Sequence, residues 1–259
     1  MPDPILEVTD LEGDFNTFIN PGLLQAPDFN DSPQEHIIYF TNGWSIFSTC
    51  IDITNIANWD ETTYPTRTMS GMFKQFLYKI NENGEDTLAY DNAGDWSDLI
   101  IIKSNLGQAW LPAWNFDGMN VDLVEQGRAG IYQGWQIKFG SNGFYLKLFG
   151  PFHEPTNPNN DNFPMLNGWG IVGFPYHGIS TSAEVFCQNF VDDVIIMKDY
   201  LGAAYLPDWN FNGIGDMVPG QGYQIKLENH TSPNELNVVY QDGGTPPIED
   251  PPIDDGPQL

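Results

Sequence analysis

Positive charge is what this sequence has least of: 9 Lys+Arg stand against 35 Asp+Glu, for a formal net charge of −26. Nucleic acid and anionic bilayers both need a basic surface that releases counterions or meets headgroups, so neither is expected as a partner. Cysteine is also scarce, with Cys50 and Cys187 alone. Cys50 lies seven residues after Gly43 and Cys187 nineteen after Gly168, so they do not occupy equivalent places in the duplication described below. Buried free thiols are expected rather than a disulfide framework. No run approaches the roughly 18 apolar residues of a membrane span. The opening MPDPILEVTDLEGDF has neither the basic nor the apolar region of a secretory signal.

Chemistry-bearing motifs are missing too. His36, His153, His177 and His230 are far apart, outside any HExxH, HxH or CxxC context, and are expected as surface or hydrogen-bonded histidines. There is no GxSxG elbow, no phosphate-binding loop and no GxGxxG after a strand. Gly213-Ile214-Gly215-Asp216, with Gly220-Gln221-Gly222, is explained by turn geometry. Carboxylates are plentiful but scattered over linkers and tail, which does not suggest a catalytic pair. Neither Asp28-Phe29-Asn30-Asp31 nor Asn157–Asn162 matches an EF-hand loop. The expectation is a non-enzyme with no catalytic residue, no cofactor and no metal.

What the chain does have is a duplication. Asp98–Met119 (DLIIIKSNLGQAWLPAWNFDGM) and Asp193–Ile214 (DVIIMKDYLGAAYLPDWNFNGI) are identical at 13 of 22 aligned positions. The likeness extends upstream, Asn42-Gly43-Trp44 against Asn167-Gly168-Trp169, and downstream, Gln133-Gly134-Trp135-Gln136-Ile137-Lys138 against Gln221-Gly222-Tyr223-Gln224-Ile225-Lys226. A match sustained across changing offsets marks a duplicated structural unit.

The patterning predicts a mainly β fold: two tandem homologous antiparallel β units, each with at most one short helix, flanked by extended arms. Residues 1–35 and the acidic, proline-rich tail 241–259 (QDGGTPPIEDPPIDDGPQL) are the arms. Unit 1 spans 36–149, 150–164 is a Pro/Asn linker, and unit 2 spans 165–240. In unit 1, His36–Phe40 and Trp44–Cys50 read as strands about an Asn42-Gly43 turn. An inserted hairpin at about 61–90 takes Phe73–Ile80 and Thr87–Tyr90 as strands. Leu99–Ile102 reads as a strand covered on both faces, and Gln133–Phe139 with Phe144–Phe149 as a closing hairpin. In unit 2, Ser182 caps a short helix, and Leu236–Tyr240 closes the last hairpin.

Two recurring sets could serve as sites. The pairs Trp114/Phe116 and Trp209/Phe211 are expected in the core; exposed, they would be sugar-stacking platforms or interface anchors. Lys103/Lys198 and Lys138/Lys226 recur although bases are rare, and are expected to cap strand ends against neighbouring carboxylates.

The frame N-G-W, D-x-I-I-x-K-x-x-x-G-x-A-x-L-P-x-W-N-F-x-G, Q-G-[WY]-Q-I-K resembles a repeat module of virion structural proteins of marine tailed phages, notably cyanophages, and is similar to repeats in surface proteins of marine Bacteroidetes. The resemblance covers about 36–149 and 165–240. Unit 1 departs from it by the inserted hairpin and by Val121–Ile131. The lack of a signal peptide favours the phage setting. The resemblance implies a non-enzymatic component on the virion surface, a decoration, fibre or adaptor subunit. Its partners would be other virion proteins and further copies of itself, with the arms locking it to neighbours. A carbohydrate-binding or adhesion module, taking a host-surface glycan on the paired aromatics, is the alternative.

Overall fold

The structure, a computed structural model, describes residues 34–80, 84–89, 96, 98–119, 123, 133–153, 161–163, 165, 167–230 and 236–238. The expected arms and Val121–Ile131 lie almost wholly outside these. Mainly antiparallel β structure with two short α-helices is what the described residues form.

The first half is built on one long ribbon that folds over. Strands β1 (Gln34–Phe40) and β2 (Gly43–Phe47) run antiparallel to β9 (Phe144–Gly150) and β8 (Trp135–Phe139) respectively. Asn42-Gly43 is therefore not a hairpin turn, and β8 and β9 do not close one. Both steps carry the chain from one sheet to the other, a corner of the kind that joins the layers of a sandwich. Gly43 at φ 100° and Gly143 at φ 91° supply the left-handed backbone there. The Asn42 N–H donates to Asn142 Oδ1 at 2.7 Å across the corner.

β3 (Leu77–Ile80) and β4 (Asp86–Leu88) complete a sheet of order β1-β9-β3-β4. β5 (Leu99–Lys103), β6 (Ala109–Leu111) and β7 (Phe116–Asp117) complete a second, β2-β8-β5-β6-β7. The sheets share a core in which the Phe40 ring lies 5.1 Å from Phe139 and 5.5 Å from Phe47.

Two further expectations in this half are corrected. Phe73–Phe76 is not strand but the end of helix α1 (Met69–Phe76), and only Leu77–Ile80 pairs. Met69, Met72, Phe73 and Phe76 are buried at i, i+3, i+4, i+7, and the Thr68 hydroxyl accepts from the Gly71 N–H at 3.0 Å as N-cap. β5 is not covered on both faces. Its register shifts between Leu99 and Ile101, leaving Leu99 and Ile102 in the core and Ile100 exposed.

The second half repeats the five-stranded sheet: β11 (Gly168–Gly173), β12 (Val194–Lys198), β13 (Ala204–Leu206), β14 (Phe211–Asn212) and β15 (Gly222–Leu227), in the order β11-β15-β12-β13-β14. The bulge recurs in β12 between Val194 and Ile196. Helix α2 (Ala183–Cys187) follows Ser182, whose hydroxyl accepts from the Val185 N–H. β10 (Asp161–Phe163), inside the stretch expected as linker, pairs with β16 (Leu236–Val238). β16 therefore does not close a hairpin with β15. A separate cluster around Val172, Phe174, Phe186 and Tyr223 forms the core of this half. Cys50 and Cys187 are free and buried, and burial pushes the Cys50 thiol up to about 12 and raises the Cys187 thiol as well.

The halves meet at a seam that uses equivalent residues from each side. Phe47 bridges Gln221, and Gln133 bridges Val172; Phe47 and Val172 are equivalent (172 − 47 = 125), as are Gln133 and Gln221 (221 − 133 = 88). Gly222 lies where a Cβ would come within 2.7 Å of Ile46 Cγ2, and Gly134 within 2.6 Å of Ile171 Cγ2. This reciprocity is the signature of a local two-fold axis.

Candidate functional site

The site follows from alternation along the strands. In the first five-stranded sheet Phe47, Trp135, Ile137, Phe139, Ile102 and Trp110 point inward and are buried. Their neighbours must then point outward. Registered pairs place Trp44 beside Lys138, Lys103 beside both Gln136 and Ala109, and Phe116 beside Leu111, all on the outer face. The second sheet gives Trp169 beside Lys226, Lys198 beside Gln224 and Ala204, and Phe211 beside Leu206. Each outer face thus carries a tryptophan, two lysines, a glutamine and a phenylalanine in the same places.

The lysines do not cap strands against carboxylates as expected. Lys103 Nζ stands 4.7 Å and Lys138 Nζ 5.7 Å from the Trp44 ring centroid, and Lys198 Nζ stands 4.9 Å from that of Trp169. Ammonium groups over an indole face are held by the ring quadrupole, at about 0.5–1 kcal/mol each in exposed settings. Among the described residues none of Lys103, Lys138, Lys198 and Lys226 forms an ion pair. Arg67, Lys79 and Lys147 do, with Glu61, Asp98 and Glu35. In a chain of net charge −26, four lysines without an ion pair among the described residues, two on each of two equivalent faces, are a distinct feature of the surface.

Trp114, Phe116, Trp209 and Phe211 are not in the core, and the expectation that they pack there is corrected. They are 79%, 53%, 78% and 51% exposed. Pro112 starts a single 3-10 turn, Pro112–Trp114, which ends on Asn115 in the left-handed region at φ 49°. Pro207–Trp209 and Asn210, also at φ 49°, repeat it. The turn leaves each indole exposed beside its own hairpin. Phe116 and Phe211 lie back on their own hairpins: a Cβ on Gly118 would come within 3.1 Å of the Phe116 ring, and one on Gly213 within 3.0 Å of Phe211.

The two outer faces converge at the seam in two grooves. One, of about 410 Å³, is lined by Trp44, Lys103, Gln136, Lys198, Tyr200 and Gln224. The other, of about 330 Å³, is lined by Ser104, Gln136, Trp169, Lys198 and Gln224. They are related by the local axis and share Gln136, Gln224 and Lys198. They differ at Asp199 and Tyr200, which stand where the first repeat has Ser104 and Asn105; the Asp199 carboxylate accepts from the Leu201 and Ala203 N–H groups.

The histidines lie away from these grooves. The His36 Nδ1 accepts from the Cys50 N–H at 3.2 Å, and His230 Nδ1 is 2.7 Å from Asp193 Oδ2. His177 stacks on Phe152. Among the described residues no group of three or more His, Cys, Asp or Glu is gathered to hold a metal ion. Asp28–Asp31 and most of Asn157–Asn162 fall outside the described residues. No described helix is long and apolar enough to cross a membrane.

Comparison with family models, characterised proteins and solved structures returned no match.

Proposed function

We propose that this chain is a non-enzymatic structural protein of a virion surface, assembling with other virion proteins through exposed aromatic contacts and its terminal arms. The observation that carries the reading is the paired exposure of Trp114/Phe116 and Trp209/Phe211 at equivalent places in two repeats. Large apolar side chains left out of two separate cores in the same way are maintained for contact, because exposed aromatic clusters mark interfaces. The repeat frame that resembles phage structural modules supplies the setting, a marine tailed phage.

Quantitative mass spectrometry of purified particles, counting this chain against the major capsid protein, tests the proposal. Hundreds of copies would mean a capsid decoration or tube component, and a handful a fibre, collar or baseplate part. Absence from any particle would discard the virion setting.

A second reading, glycan binding on the same platforms, is favoured by the solvent-facing Trp114 and Trp209 indoles, since stacking on a sugar ring needs an open aromatic face. Trp114→Ala with Trp209→Ala should abolish retention on host-surface polysaccharide if this reading holds. Unchanged retention would remove it.

A further inference from the structure

We infer that the paired grooves at the seam receive the acidic, proline-rich tail, residues 241–259, of a second copy of this chain. The inference rests on the assembly reading above and names its partner and surface.

The larger groove offers the Trp44 indole with Lys103 and Lys198, beside Asp199, and the smaller the Trp169 indole with Lys198, while Lys138 and Lys226 stand on the same outer faces next to the indoles and outside both linings. Trp44 is served by Lys103 and Lys138; Trp169 lies over Lys198 and beside Lys226 in register. The ligand that fits has prolines next to acids, because proline segments dock on aromatic-lined grooves and carboxylates seek the lysines. The chain carries such a segment twice in tandem: Pro246-Pro247-Ile248-Glu249-Asp250 and Pro251-Pro252-Ile253-Asp254-Asp255. Two Pro-Pro-Ile-acid-acid units match two contiguous grooves, and a chain in the polyproline conformation reads similarly in either direction, which suits grooves related by a two-fold axis. Charge complementarity is specific: the tail has five acids and no base. Of the nine bases in the chain, four are the lysines of the two outer faces, left without carboxylate partners among the described residues. The distance is coverable: 21 residues follow Val238 (259 − 238 = 21), and at about 3.1 Å per residue an extended chain of that length reaches about 65 Å, enough to leave its own module.

Zero-length cross-linking tests this directly. Full-length chain, half of it uniformly 15N-labelled, is treated with a water-soluble carbodiimide that joins lysine to carboxylate. Cross-linked peptides are then read by mass spectrometry. The expected result is isotope-mixed pairs joining Lys103, Lys138, Lys198 or Lys226 to Glu249, Asp250, Asp254 or Asp255. They should be lost on adding synthetic QDGGTPPIEDPPIDDGPQL, and retained on adding the same peptide with its acids replaced by amides. In full-length chain bearing Trp44→Ala and Trp169→Ala, all four lysines remain but the mixed pairs should be lost. The Lys147–Glu35 pair, 2.8 Å apart within one chain, reports that the chemistry and the fold are intact. Three outcomes overturn the inference: the control pair without any lysine-to-tail pair, tail pairs of single isotope only, or mixed pairs that survive the added peptide. If mixed pairs are missing while the chain is still found in particles, the inference falls and the assembly reading stands. Mixed pairs in a chain found in no particle give the reverse.

Discussion

Lowering the pH from 7 to 4.5 should weaken the fold in a way that can be read at one side chain, His36, beside which burial also lowers the pKa of His177. Its imidazole is 4% exposed. Nδ1 accepts from the Cys50 N–H, so the neutral ring carries its proton on Nε2. Phe152 sits edge-on at 6.1 Å, with His177 stacked behind it. A Cβ on Gly220, from the other half, would come within 2.7 Å of Nε2. Burial first, and the charge of His177 second, lower the His36 pKa from 6.5 to about 4. The unfolded chain takes up a proton near pH 6.5 and the folded one only near 4, so the stability is intact above 6.5 and is lost as pH falls. The gap of about 2.5 units amounts to about 3.4 kcal/mol in full, of which about 2.5 kcal/mol is gone by pH 4.5. The carboxylates of this acidic chain also titrate, so the measurement is a difference. Urea unfolding at pH 7, 6, 5 and 4.5 is followed for the native chain and for His36→Asn, whose Oδ1 can take the Cys50 N–H but not a proton. The variant should be less stable at pH 7, through lost packing, but its stability should decline more shallowly, the gap closing by about 2.5 kcal/mol over the range. Parallel pH curves would refute the reasoning.

Other outcomes follow from the same geometry. Gly173→Ala should loosen the seam by about 1–3 kcal/mol in urea titration, because the new methyl would sit 2.4 Å from Ser48 Cβ and 3.0 Å from the Gln133 carbonyl oxygen. Asn210→Ala should lower the melting temperature, the left-handed backbone costing about 1–2 kcal/mol with an ordinary Cβ, while Asn210→Gly should be close to neutral. Cys50 and Cys187 should resist a thiol-reactive disulfide reagent in native buffer and react on unfolding, since burial holds both thiols protonated.

Sequence reading located most strands of both repeats, because runs such as Val194–Met197 and Tyr223–Leu227 are short, apolar and bounded by turn residues. The partners of those strands were less legible. Asn42-Gly43 and Gly140–Gly143 carry ordinary hairpin chemistry, and nothing local says that both steps lie at one corner between sheets. Helix α1 was written in the spacing of Met69, Met72, Phe73 and Phe76 behind Thr68, yet its last residues run unbroken into Leu77-Tyr78, and the joined run reads as one strand. For Trp114 the signal was present in Pro112 and Asn115, which bracket a tight turn whose tip has no layer to bury it. The Trp44 site could not be read at all from spacing. Trp44, Lys103 and Lys138 are brought together only by the register of β2, β8 and β5, a long-range property of the sheet.

The reciprocal seam bears on how such a molecule could arise. An edge that answers itself, with Gln133 and Phe47 taking the parts of Gln221 and Val172, is what two separate copies of one repeat would need in order to pair. Between free copies that pairing would depend on dilution. Joined in one polypeptide it becomes intramolecular, held at an effective concentration set by the connecting segment alone. Once tethered, two copies are free to differ: here the first carries a four-stranded second layer, and the axis between them holds grooves that neither copy owns alone.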